Sequence, residues 1–195
     1  FRPSIIVGAS GCGRISEFAN FYQFVQAVEV SVARAARNGK HLSILGDPSC
    51  SKNLIPVDWA ATQLMDAVET DGPSGKTYHI THPQPTDMAF IAAWLNDLFA
   101  DSGVRIELTD SMDDLDGIMK RATKSLQGYV MHEPTFDRTH IDGATPDDAD
   151  CPPVTNEYLT TLYRYAKARD WRNVFDALSD AAEAAAPAEA FANAS

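Results

Sequence analysis

The run Ser4-Ile5-Ile6-Val7, closed by Gly8, most constrains what this chain can fold into. Branched aliphatic residues in sequence, without polar alternation, predict a short strand buried inside a sheet, and such strands belong to folds in which helices cover the sheet. The glycine-rich turn Gly8-Ala9-Ser10-Gly11-Cys12-Gly13 follows. Phe18, Phe21, Tyr22, Val25, Val28, Val32 and Ala35 then recur at spacings of three and four, which predicts an amphipathic helix over 18–37 stopped by Asn38-Gly39. Strands are expected at 42–45 and 54–57, on either side of the turn Gly46-Asp47-Pro48-Ser49. Asp58 is placed to cap a helix over 58–68 with Trp59, Leu64, Met65 and Val68 inward.

After the break Asp71-Gly72-Pro73-Ser74-Gly75 come a strand at 76–81, a helix capped by Thr86 and running to Phe99, and a half-buried strand built on Val104, Ile106 and Leu108. Leu115, Ile118, Met119 and Ala122 mark a short helix. Over 129–153 the pattern dissolves into His, Pro, Asp and Gly, a long connection with room for one short strand. Thr155 opens a helix with Tyr158, Leu159, Leu162 and Ala166 inward, and a second helix is expected from near Asp170. Residues 181–195 are Ala-rich with Pro187 and read as a frayed, flexible tail. The fold class is α/β, with one domain over 1–180.

Charge and composition narrow the function. A formal net charge of −11 repels phosphate backbones and anionic membrane surfaces, and no Lys/Arg run offsets it, so nucleic acid is excluded as a partner. No apolar stretch reaches a membrane span's length, and the amino terminus lacks a basic-then-apolar signal pattern. Cys12, Cys50 and Cys151 are widely separated, as expected of reduced thiols in a cytoplasmic protein. The chain opens on Phe1 within an apolar run, which leads us to expect that something precedes it in the complete protein.

Two motifs imitate an active site. Gly8-x-x-Gly11-x-Gly13, after a strand and before a helix, resembles a dinucleotide fingerprint, with Glu29 about where a ribose-binding acid would fall. Its spacing lacks the late third glycine, and Glu29 falls mid-helix, so a simple turn is the better reading. Tyr163 and Lys167 match Tyr-x-x-x-Lys, in which the cation lowers the phenol pKa for proton donation. Tyr163 adjoins the inward stripe of its helix, which predicts a core-edge tyrosine beside a solvated lysine. His79 and His82 lack a third ligand at zinc spacing, and the Asp runs at 110–116 and 147–150 lack the glycine and terminal Glu of a calcium loop. No metal site is expected.

Three segments in order carry a family resemblance: Arg2-Pro3-Ser4-Ile5-Ile6-Val7-Gly8; Leu45-Gly46-Asp47-Pro48 with Leu54-Ile55-Pro56-Val57-Asp58-Trp59; and Gly75-Lys76-Thr77-Tyr78-His79-Ile80-Thr81-His82-Pro83. They resemble the region after the catalytic helix in extended short-chain dehydrogenases/reductases, closest to the branch of male-sterility-type fatty acyl-CoA reductases and thioester-reductase domains. His79 departs from the Asn usual there, and the resemblance covers roughly the first half of the chain. It implies part of a Rossmann-type parallel sheet edge with a helical substrate-binding lobe. In this family the glycine fingerprint and catalytic Tyr-x-x-x-Lys precede the Arg-Pro-Ser strand. Both would lie upstream of Phe1, in a nucleotide-binding half with which this chain would be partnered, and no catalytic residue is assigned here.

The resemblance further implies that Pro3, Ser4 and Ile5 pass beside the nicotinamide of NADP(H). Phe18, Phe21, Tyr22 and Phe24 would face the acyl or pantetheine part of an acyl thioester, fatty acyl-CoA or carrier-bound, that the complete enzyme reduces to aldehyde or alcohol. Two alternatives stay open. One is an epimerase- or dehydratase-like enzyme part acting on a nucleotide sugar or small carbonyl compound, which would call for a polar pocket. The other is a non-catalytic binding or dimerisation module, marked by charges or prolines protecting a sheet edge.

Overall fold

A computed structural model of the chain describes residues 1–38, 41–72, 75–124, 131–132, 134–145 and 150–172. The fold is mixed α/β, built on short parallel strand pairs. The predicted first strand is present in two pieces around Ser4, β1 (Arg2–Pro3) and β2 (Ile5–Val7). It is followed by α1 (Phe21–Asn38), β3 (His41–Leu45), β4 (Ser51–Lys52), β5 (Leu54–Pro56), α2 (Val57–Asp71), β6 (His79–Ile80), β7 (Thr86–Asp87), α3 (Met88–Leu98), β8 (Arg105–Thr109), α4 (Gly117–Thr123), α5 (Thr139–Asp142) and α6 (Asn156–Ala168).

β1 pairs in parallel with β6, β2 with β5, and β3 with β8 over five residues, His41 opposite Arg105 through Leu45 opposite Thr109. The Ser4 N–H donates to the Ile80 carbonyl at 3.0 Å and the next N–H, of Ile5, to the Asn53 carbonyl at 3.2 Å. Successive N–H groups of a strand point to opposite sides, so segment 2–7 runs between β6 and β5. Both flanking strands come from later in the chain, and helices carry the crossovers between parallel partners, as such pairing requires. The strand is less buried than its composition predicts: Val7 is fully buried, Ile5 half-buried and Ile6 exposed.

The main core lies between α1, α3, α4, α6 and the β3–β8 pair, with Val28, Ile44, Leu45, Leu95, Met119, Leu159 and Leu162 at or near zero exposure. A smaller cluster under α2 joins Ile55, Trp59, Ala60, Ala67, Tyr78 and Ile80 to Ile141, Ala144 and Cys151 of the late connection. That late connection, which left room for one short strand, includes the single-turn helix α5 and forms no strand among its described residues.

Helix α6 follows its sequence closely. Thr155 caps it, its hydroxyl accepting from the Tyr158 N–H at 3.2 Å, and Tyr158, Leu159, Leu162 and Ala166 are buried. Helix α2 does not. Leu64, Met65 and Val68, expected inward, are exposed, and the face on the sheet is Trp59, Ala60, Gln63 and Ala67. Apolar residues surround most of this helix, so their spacing does not select a face, and small alanines allow a closer approach to the strands. Asp58 is not the cap either: Pro56 holds that position without a side-chain bond, and Asp58 lies in the first turn. Thr86 forms part of β7 and Asp87 precedes α3 without a capping bond. The predicted strand at 76–81 narrows to β6. Asp170 and Trp171, where a second helix was expected to start, have positive φ of 53° and 58° and form a turn. The rest of that helix and the tail 181–195 lie outside the described residues. Among the described residues, no helix is long and apolar enough to cross a membrane.

Candidate functional site

A cavity of about 560 Å³ opens where the first strand, the start of α1 and the late connection meet. Pro3, Ser4 and Ile5 supply one wall, and Asn20, Phe21 and Phe24 the facing one. Lys52, Leu54, Met88 and Ile91 line it from β4, β5 and α3, and Pro134 and Phe136 from the connection. Five of the seven residues singled out by sequence thus border one space. Phe18 and Tyr22 do not: Phe18 is buried against Tyr22, ring centroids 5.1 Å apart, and Tyr22 is 1% exposed.

The strand wall is held by a polar lattice. The Ser4 hydroxyl donates to Asn53 Oδ1 at 2.7 Å, which also accepts the His82 N–H at 2.7 Å, while Asn53 Nδ2 donates to the His82 carbonyl at 2.8 Å. The Gln84 N–H donates to His82 Nδ1 at 2.9 Å, so the ring proton sits on Nε2, 3.2 Å from the Pro152 carbonyl it donates to. Burial holds this imidazole below its ordinary pKa, with nearby Arg138 acting the same way and the Pro152 carbonyl opposing. Asn53 is buried at 3% exposure and joins the site wall to the connection beyond β6. Sequence reasoning missed it, and Asn53, next to Ser51 and Lys52, carries no local pattern that could have found it.

The helix wall is held by packing. Phe21 stacks on Trp94 of α3 at 6.2 Å, and the Trp94 indole N–H donates to Thr160 Oγ1 of α6 at 3.1 Å. Behind it, the Gly8 N–H donates to the Tyr22 hydroxyl at 2.9 Å, and the Tyr158 hydroxyl donates to the Gly8 carbonyl. Burial pushes both phenols well above their usual pKa, which leaves them as neutral hydrogen-bonding groups and not proton donors poised for catalysis.

The glycine-rich segment is a closed turn. The Cys12 and Gly13 N–H groups both donate to the Ala9 carbonyl, Gly13 has a left-handed φ of 69°, and a Cβ on Gly8 would stand 2.1 Å from the Gly13 carbonyl oxygen. No helix starts at the turn; α1 begins eight residues later. Asp58 receives the Ser10 hydroxyl at 2.7 Å and the Ser10 N–H at 3.1 Å. Partial burial acts to raise its pKa, and these bonds outweigh it and hold the carboxyl below the usual range. Tyr163 and Lys167 meet Glu29 of α1: the phenol donates at 3.0 Å, Lys167 Nζ pairs with the same oxygen, and the Trp171 indole N–H donates to the other at 3.2 Å. Lys167 is exposed, as expected, and is also ion-paired. Burial, then the Glu29 carboxylate, pushes the Tyr163 phenol up to about 12, the reverse of what a catalytic Tyr-Lys pair requires. Among the described residues, no three His, Cys, Asp or Glu side chains are placed to share a metal ion.

No protein-family model matches the chain, and no curated protein does. Solved structures do match. The terminal R domain from the myxalamid PKS-NRPS biosynthetic pathway superposes with a TM-score of 0.61 at 16% identity, covering 88% of this chain and 43% of that one. This chain shares the fold of the part of the R domain that it covers. The comparison places its strands and helices in a Rossmann-like α/β architecture. A putative epimerase from Burkholderia cenocepacia J2315 matches at 17% identity and a TM-score of 0.46, over 86% of this chain and 46% of that one. RMD from Pseudomonas aeruginosa, solved with NADPH, matches at 15% and 0.47, over 86% and 47%. The chain spans less than half the length of each of these three structures.

Proposed function

We propose that the cavity is the acyl-binding part of an NADP(H)-dependent reductase acting on an acyl thioester, completed by a dinucleotide-binding half supplied from outside this sequence. The observation that carries this reading is one cavity bordered by both the Pro3–Ile5 strand and the Phe21/Phe24 face, two segments to which the thioester-reductase resemblance gives the cofactor and the acyl group. The R-domain fold supports it. The mostly apolar lining favours an acyl chain over a sugar, whose hydroxyls need polar partners on burial.

The strand suits the flank of a nicotinamide better than an anchor for it. The N–H groups of Ser4 and Ile5 and the Ser4 hydroxyl are bonded within the chain, so contact falls to the apolar surface of Pro3 and Ile5. When bound, the cofactor supplies a hydride to the thioester carbonyl. The residues here bind and orient the acyl group: Phe21, Phe24, Leu54 and Ile91 enclose its apolar body and keep water from it.

Titration of the 195-residue chain with nonanoyl-CoA, followed calorimetrically, tests the reading. Saturable binding that Ile91→Trp weakens at least tenfold, by filling the cavity, is the expected result. Binding that ignores this substitution, or no binding, sinks it. The chain alone should not oxidise NADPH in the presence of the thioester.

A further inference from the structure

Leu64, Met65 and Val68 of α2 are 37%, 53% and 45% exposed, and Ala61 is exposed beside them. Residues 61, 64, 65 and 68 recur at spacings of three and four, so they form one apolar stripe about 10 Å long on the outward side of the helix. The sheet is met by the other face, Trp59, Ala60, Gln63 and Ala67, which holds α2 in place without the stripe. The charges around the stripe are of one sign. The ionisable residues of α2 are Asp58, Asp66, Glu69 and Asp71, all acids. At about 100° of turn per residue, Asp58 and Glu69 flank one edge of the stripe and Asp71 the other. Asp71 is offset by Lys76 at 2.9 Å, so the Asp58/Glu69 edge is the more negative. Glu69 and Asp71 also stand in the last turn, where the helix dipole favours cations and α2 has none, so helix stability does not account for them.

We propose that the outward stripe of α2 docks an amphipathic helix of a partner protein, one whose apolar residues recur at three and four and are flanked by Lys or Arg. Its apolar residues would seat on Leu64, Met65 and Val68, the unbranched Met65 adapting to their shape, while its cations face Glu69 and Asp58. A second copy of this chain does not fit, because α2 against α2 opposes acid to acid between molecules of net charge −11. This surface lies outside the cavity lining, and the inference does not depend on the acyl-thioester reading.

The synthetic helical peptide LKKLLKLLKKLLKL, titrated calorimetrically into the 195-residue chain at about 0.15 M salt to screen diffuse attraction, is the probe. Saturable one-to-one binding is expected, with the charge-reversed peptide LEELLELLEELLEL at least tenfold weaker. The double variant Leu64→Ser, Met65→Ser keeps every charge and alters only exposed positions, so it should unfold at the native temperature and bind the lysine peptide at least tenfold more weakly. Glu69→Lys should weaken it as well, by about 2- to 5-fold. No binding of the lysine peptide, or binding that the double serine variant leaves intact and that therefore follows net charge alone, overturns the inference. Equal affinity for the two peptides removes the basic partner. A chain that sediments as a dimer, and as a monomer once Leu64 and Met65 are replaced by serine, assigns the stripe to a second copy and overturns it too.

Discussion

The two walls of the cavity are held by opposite physics. On the strand side, Ser4, Asn53 and His82 are fixed by directional hydrogen bonds around one buried amide. On the helix side, Phe21 is fixed by aromatic packing on Trp94 and by the α1, α3 and α6 core behind it. A packed wall loses stability in proportion to the volume removed, whereas a hydrogen-bonded wall fails at its hub and responds to protonation. The contrast also suits the proposed roles, since a cofactor's flank needs fixed backbone position and an acyl pocket needs shape.

The largest expected effect falls on the packed wall. Trp94 is 1% exposed and both stacks and donates, so Trp94→Ala should cost about 3–5 kcal/mol in denaturant unfolding. A loss under about 1 kcal/mol would show that the helix wall is not held by packing. Next comes the polar hub. Asn53→Ala strips partners from the Ser4 hydroxyl and from both backbone groups of His82, and should cost about 2–3 kcal/mol. Its separate mark would be faster exchange of the Ser4 and His82 amide protons, with the Phe21–Trp94 side left protected; uniform loosening would erase the distinction between walls.

The smallest effect is the titration of His82. Its folded pKa lies below the unfolded value, so the unfolded chain binds the extra proton. The stability this group contributes is complete above the ordinary imidazole value of about 6.5 and is lost as pH falls from there through the folded pKa. Its slope is at most about 1.4 kcal/mol per pH unit. Protonation would also set an Nδ1 proton against the Gln84 N–H. His82→Gln should flatten this part of the stability profile, and an unchanged slope would assign the acid response to other groups.

How legible the fold was depended on how each segment divides polar from apolar residues. In α6, the buried Tyr158, Leu159, Leu162 and Ala166 stand against Glu157, Arg164 and Lys167, so one face alone could be buried, and Thr155 marks the start. In α2, Leu64, Met65 and Val68 compete with Trp59, Ala60 and Ala67, and only the sheet beneath decides between them. The candidate site divided in the same way. The aromatic run before and within α1 drew notice by spacing, and Pro3, Ser4 and Ile5 by resemblance. Asn53 and Lys52 carry no local pattern, because their importance comes from segments far away in sequence.

Apolar runs, glycine turns and one well-capped helix were enough to determine an α/β chain, because those signals are local and repeat with the period of the element they build; parallel pairing was expected from the family resemblance. Which neighbours flank the first strand, which face of α2 is buried, why the Tyr163/Lys167 pair closes on Glu29, and which two of the four aromatics pack in the core instead of lining the cavity were decided by tertiary structure. Each depends on contacts between residues tens of positions apart, and a single sequence holds no periodic trace of such contacts.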